Sequence, residues 1–335
     1  MKRWANPSSP HSEGRAARAA LEDARGRIKR ALGWPHELIF TAGATEAAFI
    51  ALNRLSSVRP LFTTTVEHAA VLRQSDGATR LAVGGDGIVD VAGVSAAVAG
   101  GTQPLVAVQH GNSETGIVQP LGPLGATIHQ AGGILFADCA QTAVKLPLPD
   151  ADLIALSAHK FGGPPGIGAL LVRDLALLAP FGGSQEQGYR AGTENLPAVL
   201  GFAAAAEAPW PDTQTAWRDE LNAEIIALGG EVVGGAEGDD APDRIATIAS
   251  YRMPGMQAAA QLIRFDMMGI AVSAGSACSS GSIHTSHVLK AMGMDDRDAG
   301  EVVRVSFGRD TRREDLLRFA DAWATIARDR GSRAA

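Results

Sequence analysis

Cysteine is scarce in this chain: among 335 residues only Cys139 and Cys278 carry thiols. Two thiols with no CxxC pair and no Cys/His spacing exclude a disulfide framework and a zinc site, so each is judged by its own surroundings. Lysine is scarce too. Of 30 basic residues only Lys2, Lys29, Lys145, Lys160 and Lys290 are lysines, which makes each less arbitrary than a surface lysine usually is. No apolar stretch approaches the ~18 residues of a membrane span, and the opening M-K-R-W-A-N-P-S-S-P turns polar before a signal-peptide core can form. The expectation is a cytoplasmic protein with no membrane contact. Basic charge is also lacking: a formal net charge of -6 argues against nucleic acid as the main partner, because phosphate-backbone binding needs a basic face. Internal repeats are absent, and low complexity is confined to the run Ala203 to Ala206 and a short polar tail.

What is present is a glycine-rich, globular composition. With 46% apolar and 20% charged residues the chain can bury a large core, and its 39 glycines suggest tight turns and close backbone approaches to a ligand. The length fits two domains. Ser12 to Leu32 reads as a helix closed by Gly33, Trp34 and Pro35. Strands then alternate with helices: Leu38 to Thr41 before a helix from about Ala44, Leu61 to Thr65 before one from about His68, and Leu105 to Gln109 before Leu121 to Gln130. Ile134 to Ala137, Leu153 to Ser157 and Ala169 to Val172 complete the series. Such alternation predicts an α/β domain, residues 1–210, with a mainly parallel sheet covered by helices on both faces. The break A-P-W-P near Ala208 starts a smaller α+β domain, residues 211–335. Its expected elements are a helix through Trp217, Leu221 and Ile225, a strand Arg244 to Tyr251, a helix Gln257 to Met268, a helix Ser286 to Met292, a strand Glu301 to Phe307 and a terminal helix.

Polar clusters follow the strands, where ligands of open parallel sheets bind. In S-A-H-K-F-G-G-P-P-G-I-G, Lys160 sits at the lip of a sheet, and an amine partly desolvated there suits a Schiff base with an aldehyde cofactor; a surface lysine is the plainer alternative. In T-A-G-A-T-E, Ala44 and Thr45 open a helix whose free amides suit phosphate, or Thr45 with Glu46 simply caps it. His68 in T-V-E-H offers a flat ring to cover an aromatic cofactor, or faces solvent. Asn112, Ser113 and Glu114 in N-S-E-T-G can orient a ring oxygen, or form an ordinary turn. Asp138 in D-C-A-Q is costly to bury without a cation, and a protonated pyridine nitrogen is one; a helix cap is the alternative. Together these clusters describe a site for pyridoxal 5'-phosphate. Cys278 lies among Gly275, Ser276, Ser279, Ser280 and Gly281, a small polar loop in which a thiolate can move, whereas Cys139 reads as a packing residue.

Nine motifs in family order make the chain resemble the cysteine desulfurases of the class V aminotransferase group. They are N-P-S-S at Asn6, T-A-G-A-T-E, T-V-E-H, N-S-E-T-G, D-C-A-Q, S-A-H-K-F-G-G-P-P-G-I-G, G-G-S-Q-E-Q-G-Y-R-A-G-T-E-N at Gly182, S-A-G-S-A-C-S-S at Ser273 and V-R-V-S-F-G at Val303. The resemblance implies the fold-type I architecture, a homodimer, pyridoxal 5'-phosphate, and conversion of L-cysteine to L-alanine with sulfur held as a persulfide and passed to an acceptor such as an iron–sulfur scaffold protein. It implies that Lys160 holds the cofactor and moves protons. Asp138 would pair with the ring nitrogen, Gln141 with the ring oxygen, and His68 would stack on the ring and relay protons as a catalytic residue. Ala44, Thr45, Ser157 and His159 would hold phosphate, joined by Thr193 of the other subunit. Arg304 would clamp the substrate carboxylate, and strand alternation agrees, since Val303, Val305 and Phe307 share one side and Arg304 with Ser306 the other. Cys278 would accept the sulfur.

Three departures shape the expectation. The family carries a strand and an A-T-T-P-like turn ahead of the point where this chain starts, so its pocket is expected to be more open, filled by another element, or impaired. Ser113 stands where the family has asparagine, with Asn112 one place earlier. The tail after Gly308 is short, which counts against docking to a usual scaffold. The rival readings are a related lyase acting on selenocysteine or a sulfinate, and a non-catalytic binding subunit.

Overall fold

The computed structural model describes residues 5–99, 103–235, 242–275 and 285–334, in two compact units. Unit one comprises residues up to 81, 91–110 and 120–210. It opens with α1 (Ser12–Ala31), whose buried Gly14, Ala17, Leu21, Ala24 and Ile28 recur at three- and four-residue spacing and form one apolar stripe. The His11 side chain caps it by accepting from the Gly14 N–H. Gly33, at φ 64°, ends it.

Then come β1 (Glu37–Thr41), α2 (Ala44–Asn53), β2 (Leu61–Thr64), α3 (Ala69–Leu72), β3 (Thr79–Leu81), α4 (Val91–Val98), β4 (Leu105–Gln109), α5 (Leu121–Gln130), β5 (Ile134–Asp138), β6 (Leu153–Ser157), β7 (Gly168–Val172) and α6 (Leu196–Glu207). The strands form one sheet of seven in the order β1-β7-β6-β5-β4-β2-β3, flanked by helices as fold-type I requires. From β3 to β6 every pairing is parallel, and β7 runs antiparallel to both β6 and β1. Every residue of β4, β5, β6 and β7 is buried. That is why these strands read as unbroken apolar runs rather than as alternating patterns.

Unit two comprises residues 82–90, 111–119 and 211 onward. After α7 (Gln214–Ala227), β8 (Glu231–Val232), β9 (Ile248–Arg252), α8 (Ala258–Met267), β10 (Ser273–Ala274), α9 (His287–Ala291), α10 (Asp296–Ala299), β11 (Val302–Ser306) and α11 (Arg313–Ala334) follow. The sheet order is β10-β11-β9-β8, all antiparallel. Its core is aromatic: Tyr251, Phe265, Phe319 and Trp323 pack together, with Phe265 and Phe319 stacked at 5.1 Å. The strand expected from Arg244 starts only at Ile248, because Arg244 pairs in a single bridge with Ile117 and the chain turns before β9. The short β3, β8 and β10 carry too few residues for a period to register, and α4, made almost wholly of Val and Ala, lacks a polar face to mark it.

Candidate active site

Because β7 is antiparallel to both β1 and β6, β1 runs the same way as β2, β4, β5 and β6, and all five carboxyl ends lie along one edge. Gln109 pairs with Asp138, Asp138 with Ala155, and Ser157 with Gly168, which in turn pairs with Thr41. The edge therefore gathers the turns after Thr41, Thr64, Gln109, Asp138 and Ser157.

The turn after β1 leads into α2 through Gly43, and no side chain caps that helix. Its first-turn amides, with the exposed Thr45, face outward from the edge. Glu46 reaches back to the Ala42 N–H and pairs with Arg190 at 3.2 Å, so part of the capping alternative is realised one residue earlier. Gly168 must be glycine: a Cβ there would meet the Leu156 carbonyl oxygen at 2.3 Å and the Gly43 Cα at 2.7 Å. This close approach brings the α2 N-terminus beside Ser157, whose Oγ would lie 3.6 Å from a Cβ on Gly43.

After β6 the chain makes a 3-10 turn, Ala158–Phe161, closed by Gly162 at φ 88°. Ser157 Oγ lies 2.9 Å from His159 Nδ1, and both His159 and Lys160 are exposed. Desolvation and then the Lys160 charge push the His159 pKa down. The β5 turn holds Asp138, which is 8% exposed and accepts from the Ala140 N–H at 2.9 Å. Burial pushes its pKa up, opposed by that N–H and then by the charges of His68 and Lys160. Asp138 thus lies in the fields of both His68 and Lys160.

His68 begins α3, and its Nδ1 accepts from the Ala70 N–H at 3.1 Å, so in the neutral ring the proton sits on Nε2. Beyond Asp138, the half-buried Gln141 offers its backbone carbonyl to Lys145 Nζ at 3.0 Å. Lys145 also stands 4.8 Å from the centre of the Trp210 ring, and burial, followed by repulsion from Lys160, pushes its pKa down to about 8. Val144 between them sits at φ 69°, an unfavourable angle for a β-branched residue. Thr193 is exposed on the segment leading to α6. Cys139 is buried, and burial pushes its thiol well above the ordinary range, which leaves it inert.

The remaining expected residues belong to unit two. Asn112 turns its amide oxygen onto the N–H groups of Glu114 and Thr115, at 2.8 and 2.9 Å, so that oxygen closes its own turn. Arg304 projects from the opposite side of β11 to the buried Val303 and Val305 and donates to the Ser113 carbonyl at 3.0 Å. Glu114 accepts from Ser286 Oγ at 2.5 Å, and Ser286 also caps α9. Cys278 lies outside the described residues. Among those described, no helix is long and apolar enough to cross a membrane, and no group of His, Cys, Asp or Glu could hold a metal ion.

The family model of the class V aminotransferases matches residues 1–319. A cysteine desulfurase of Cereibacter sphaeroides is 34% identical over 348 residues, covering 96% of this chain and 88% of the relative. The chain belongs to the class V aminotransferases, in their cysteine desulfurase branch. Solved structures agree. A NifS-like protein from Rickettsia africae superposes with TM-score 0.87 at 25% identity, covering 97% of this chain and 92% of that one. SspA, solved in complex with cysteine, gives TM-score 0.78 at 30% identity and 92% coverage of both chains. Pyridoxal 5'-phosphate is the known cofactor of this class V family.

The residues of unit one fit that cofactor. An uncapped helix start beside Ser157 and His159 suits a phosphate, a buried carboxylate whose charge burial disfavours suits a protonated ring nitrogen, and an exposed amine stands at the same edge. Sequence reasoning singled out His68 but passed over the neighbouring Glu67, and counted Lys145 among the rare lysines without giving it a role. Glu67 was visible only as one letter in a motif, and Lys145 lies outside every motif. The segment at Gly182 likewise concealed Glu186, whose partner Arg25 lies in a distant helix.

Proposed function

We propose that the chain carries out the desulfurase reaction of its family, L-cysteine to L-alanine with transfer of sulfur to Cys278 as a persulfide, with pyridoxal 5'-phosphate as cofactor. The observation that carries this reading is the field of His68 and Lys160 on the buried Asp138 at one sheet edge, beside a helix start with no side-chain cap. When bound, the cofactor supplies an electron sink for the pair released at the substrate's α-carbon. Lys160 anchors it and moves the α-proton. Asp138, whose ionised form burial makes costly until a cation arrives, pairs with the ring nitrogen and holds it protonated. His68 covers the ring, and Gln141 meets the ring oxygen. Ala44 and Thr45 at the α2 N-terminus, with Ser157 and His159, hold the phosphate, and Thr193 of a second copy completes that cradle in a homodimer. Because the Asn112 oxygen is engaged by the amides of its own turn, Ser113 takes the place of the family's asparagine.

Arg304 binds the substrate carboxylate. The Cys278 thiolate attacks the substrate sulfur: an S–S bond forms, the C–S bond breaks, and the carbon fragment leaves as alanine, so that cysteine plus thiol becomes alanine plus persulfide without an external oxidant. An acceptor protein then takes the sulfur, for iron–sulfur clusters or another thio-product. The relative solved with cysteine supports the substrate. The test is alanine formation and sulfide release from L-cysteine with a thiol reductant present. Wild-type activity retained in Cys278→Ala would remove the assignment.

A further inference from the structure

The backbone pairing of β2 with β4 stops at Thr63 and Ala107, although β4 runs on to Gln109. Beyond that point a side chain continues the tie. Glu67, 0% exposed, accepts on one carboxyl oxygen from Thr64 Oγ1 at 2.6 Å and from the Gln109 N–H at 2.8 Å, while the Gln109 side chain donates to the Val66 carbonyl at 2.8 Å. Gln109 is the register partner of Asp138, and His68 is the next residue after Glu67.

We propose that Glu67 is a positioning residue for the cofactor site, its side chain replacing the missing rung between β2 and β4 and so fixing His68 on one side and Asp138 on the other. The inference rests on the cofactor reading above. Its chemistry is that of a neutral acid. Burial raises the Glu67 pKa to about 8 against the pull of Thr64 and Gln109; Asp138 raises it further and the exposed Arg80 lowers it. At neutral pH most Glu67 therefore keeps its proton and adds no negative charge beside Asp138. A glutamine has the same shape and is neutral at every pH.

The sign follows from linkage. The unfolded chain releases this proton near 4.5 and the folded chain near 8, so the contribution of Glu67 to stability is full below pH 4.5 and is lost as pH rises through 8. The test uses the full-length apoprotein as wild type, Glu67→Gln, Glu67→Ala and Thr64→Val. It reads pyridoxal 5'-phosphate affinity at pH 7 by absorbance titration, and apoprotein Tm from pH 5 to 9. Glu67→Gln should bind within about twofold of wild type and Glu67→Ala about tenfold more weakly, with Thr64→Val between them. The Tm gain of Glu67→Gln over wild type should grow from pH 5 to pH 8. Wild-type affinity in Glu67→Ala, or in Thr64→Val should the alanine variant not fold, overturns the inference alone. So does a Glu67→Gln protein as weak as Glu67→Ala, or a Tm gain that ignores pH. No uptake of cofactor by the wild type overturns the cofactor reading and this inference with it.

Discussion

Arg25 and Glu186, 161 residues apart in sequence, form a buried two-point ion pair, with Nη1 and Nη2 of the arginine 2.8 and 2.9 Å from the two carboxylate oxygens. The same carboxylate accepts from the Phe40 N–H at 2.7 Å, and Arg25 donates to the Leu38 carbonyl at 2.6 Å, so α1, β1 and the segment leading to Thr193 are tied at one point. Glu186 and Gln187 sit at φ 44° and 56°, angles that cost a non-glycine residue roughly 1–3 kcal/mol each and persist because this pair holds them. Removing one partner leaves the other charged and buried. Glu186→Ala should therefore lower the unfolding free energy by about 3–5 kcal/mol, measured by urea denaturation. A loss below about 1 kcal/mol would show that the pair is solvated in practice.

Lys160 and Cys278 should separate cleanly. The purified protein should be yellow from bound cofactor, and Lys160→Ala should lose that absorbance. Cys278→Ala should keep it and release no sulfide from cysteine. A colourless Cys278→Ala protein would give the thiol a part in binding that this reading does not contain.

Asp138 stands where function and stability oppose each other. Its pKa is raised by burial, so the ionised form is costly until a cation arrives. Asp138→Asn should raise apoprotein Tm, more at pH 8 than in acid, and should weaken cofactor binding at least tenfold because the ring nitrogen loses its counter-charge. An unchanged affinity would contradict the pairing with the ring.

Lys145 titrates the other way. Its folded pKa, about 8, lies below the ordinary 10.5, so keeping it charged costs stability below pH 8 and that cost fades as pH climbs to 10.5. In Lys145→Met the stability gained over wild type should shrink across that window, read as Tm against pH. A constant difference would mean that the loss of the Trp210 and Gln141 contacts dominates.

Gly168 has no room for a methyl group. Gly168→Ala, with its Cβ 2.3 Å from the Leu156 oxygen, should cost about 1–3 kcal/mol or more and displace Gly43, weakening cofactor binding as well as lowering Tm. A binding-neutral variant would separate the strand packing from the phosphate cradle.

By itself the sequence determined the alternation of apolar runs with helices and the turn residues after each run, because strands buried on both faces must be written as unbroken Leu, Ile, Val and Ala. It thereby located Lys160, Asp138, His68 and Ser157 at strand ends, and its motifs assigned the family. Local patterning could not decide which strand ends share an edge, since β7 turns antiparallel and β1 arrives from the opposite end of the segment. Nor could it decide which buried acids have partners. Glu67, Glu114 and Glu186 look alike as letters, yet one lies within hydrogen-bond reach of a threonine and a strand amide, one of a serine, and one of an arginine far away in the chain. Desolvation and pairing are properties of three-dimensional neighbours, so the partners of these acids came only with the tertiary structure.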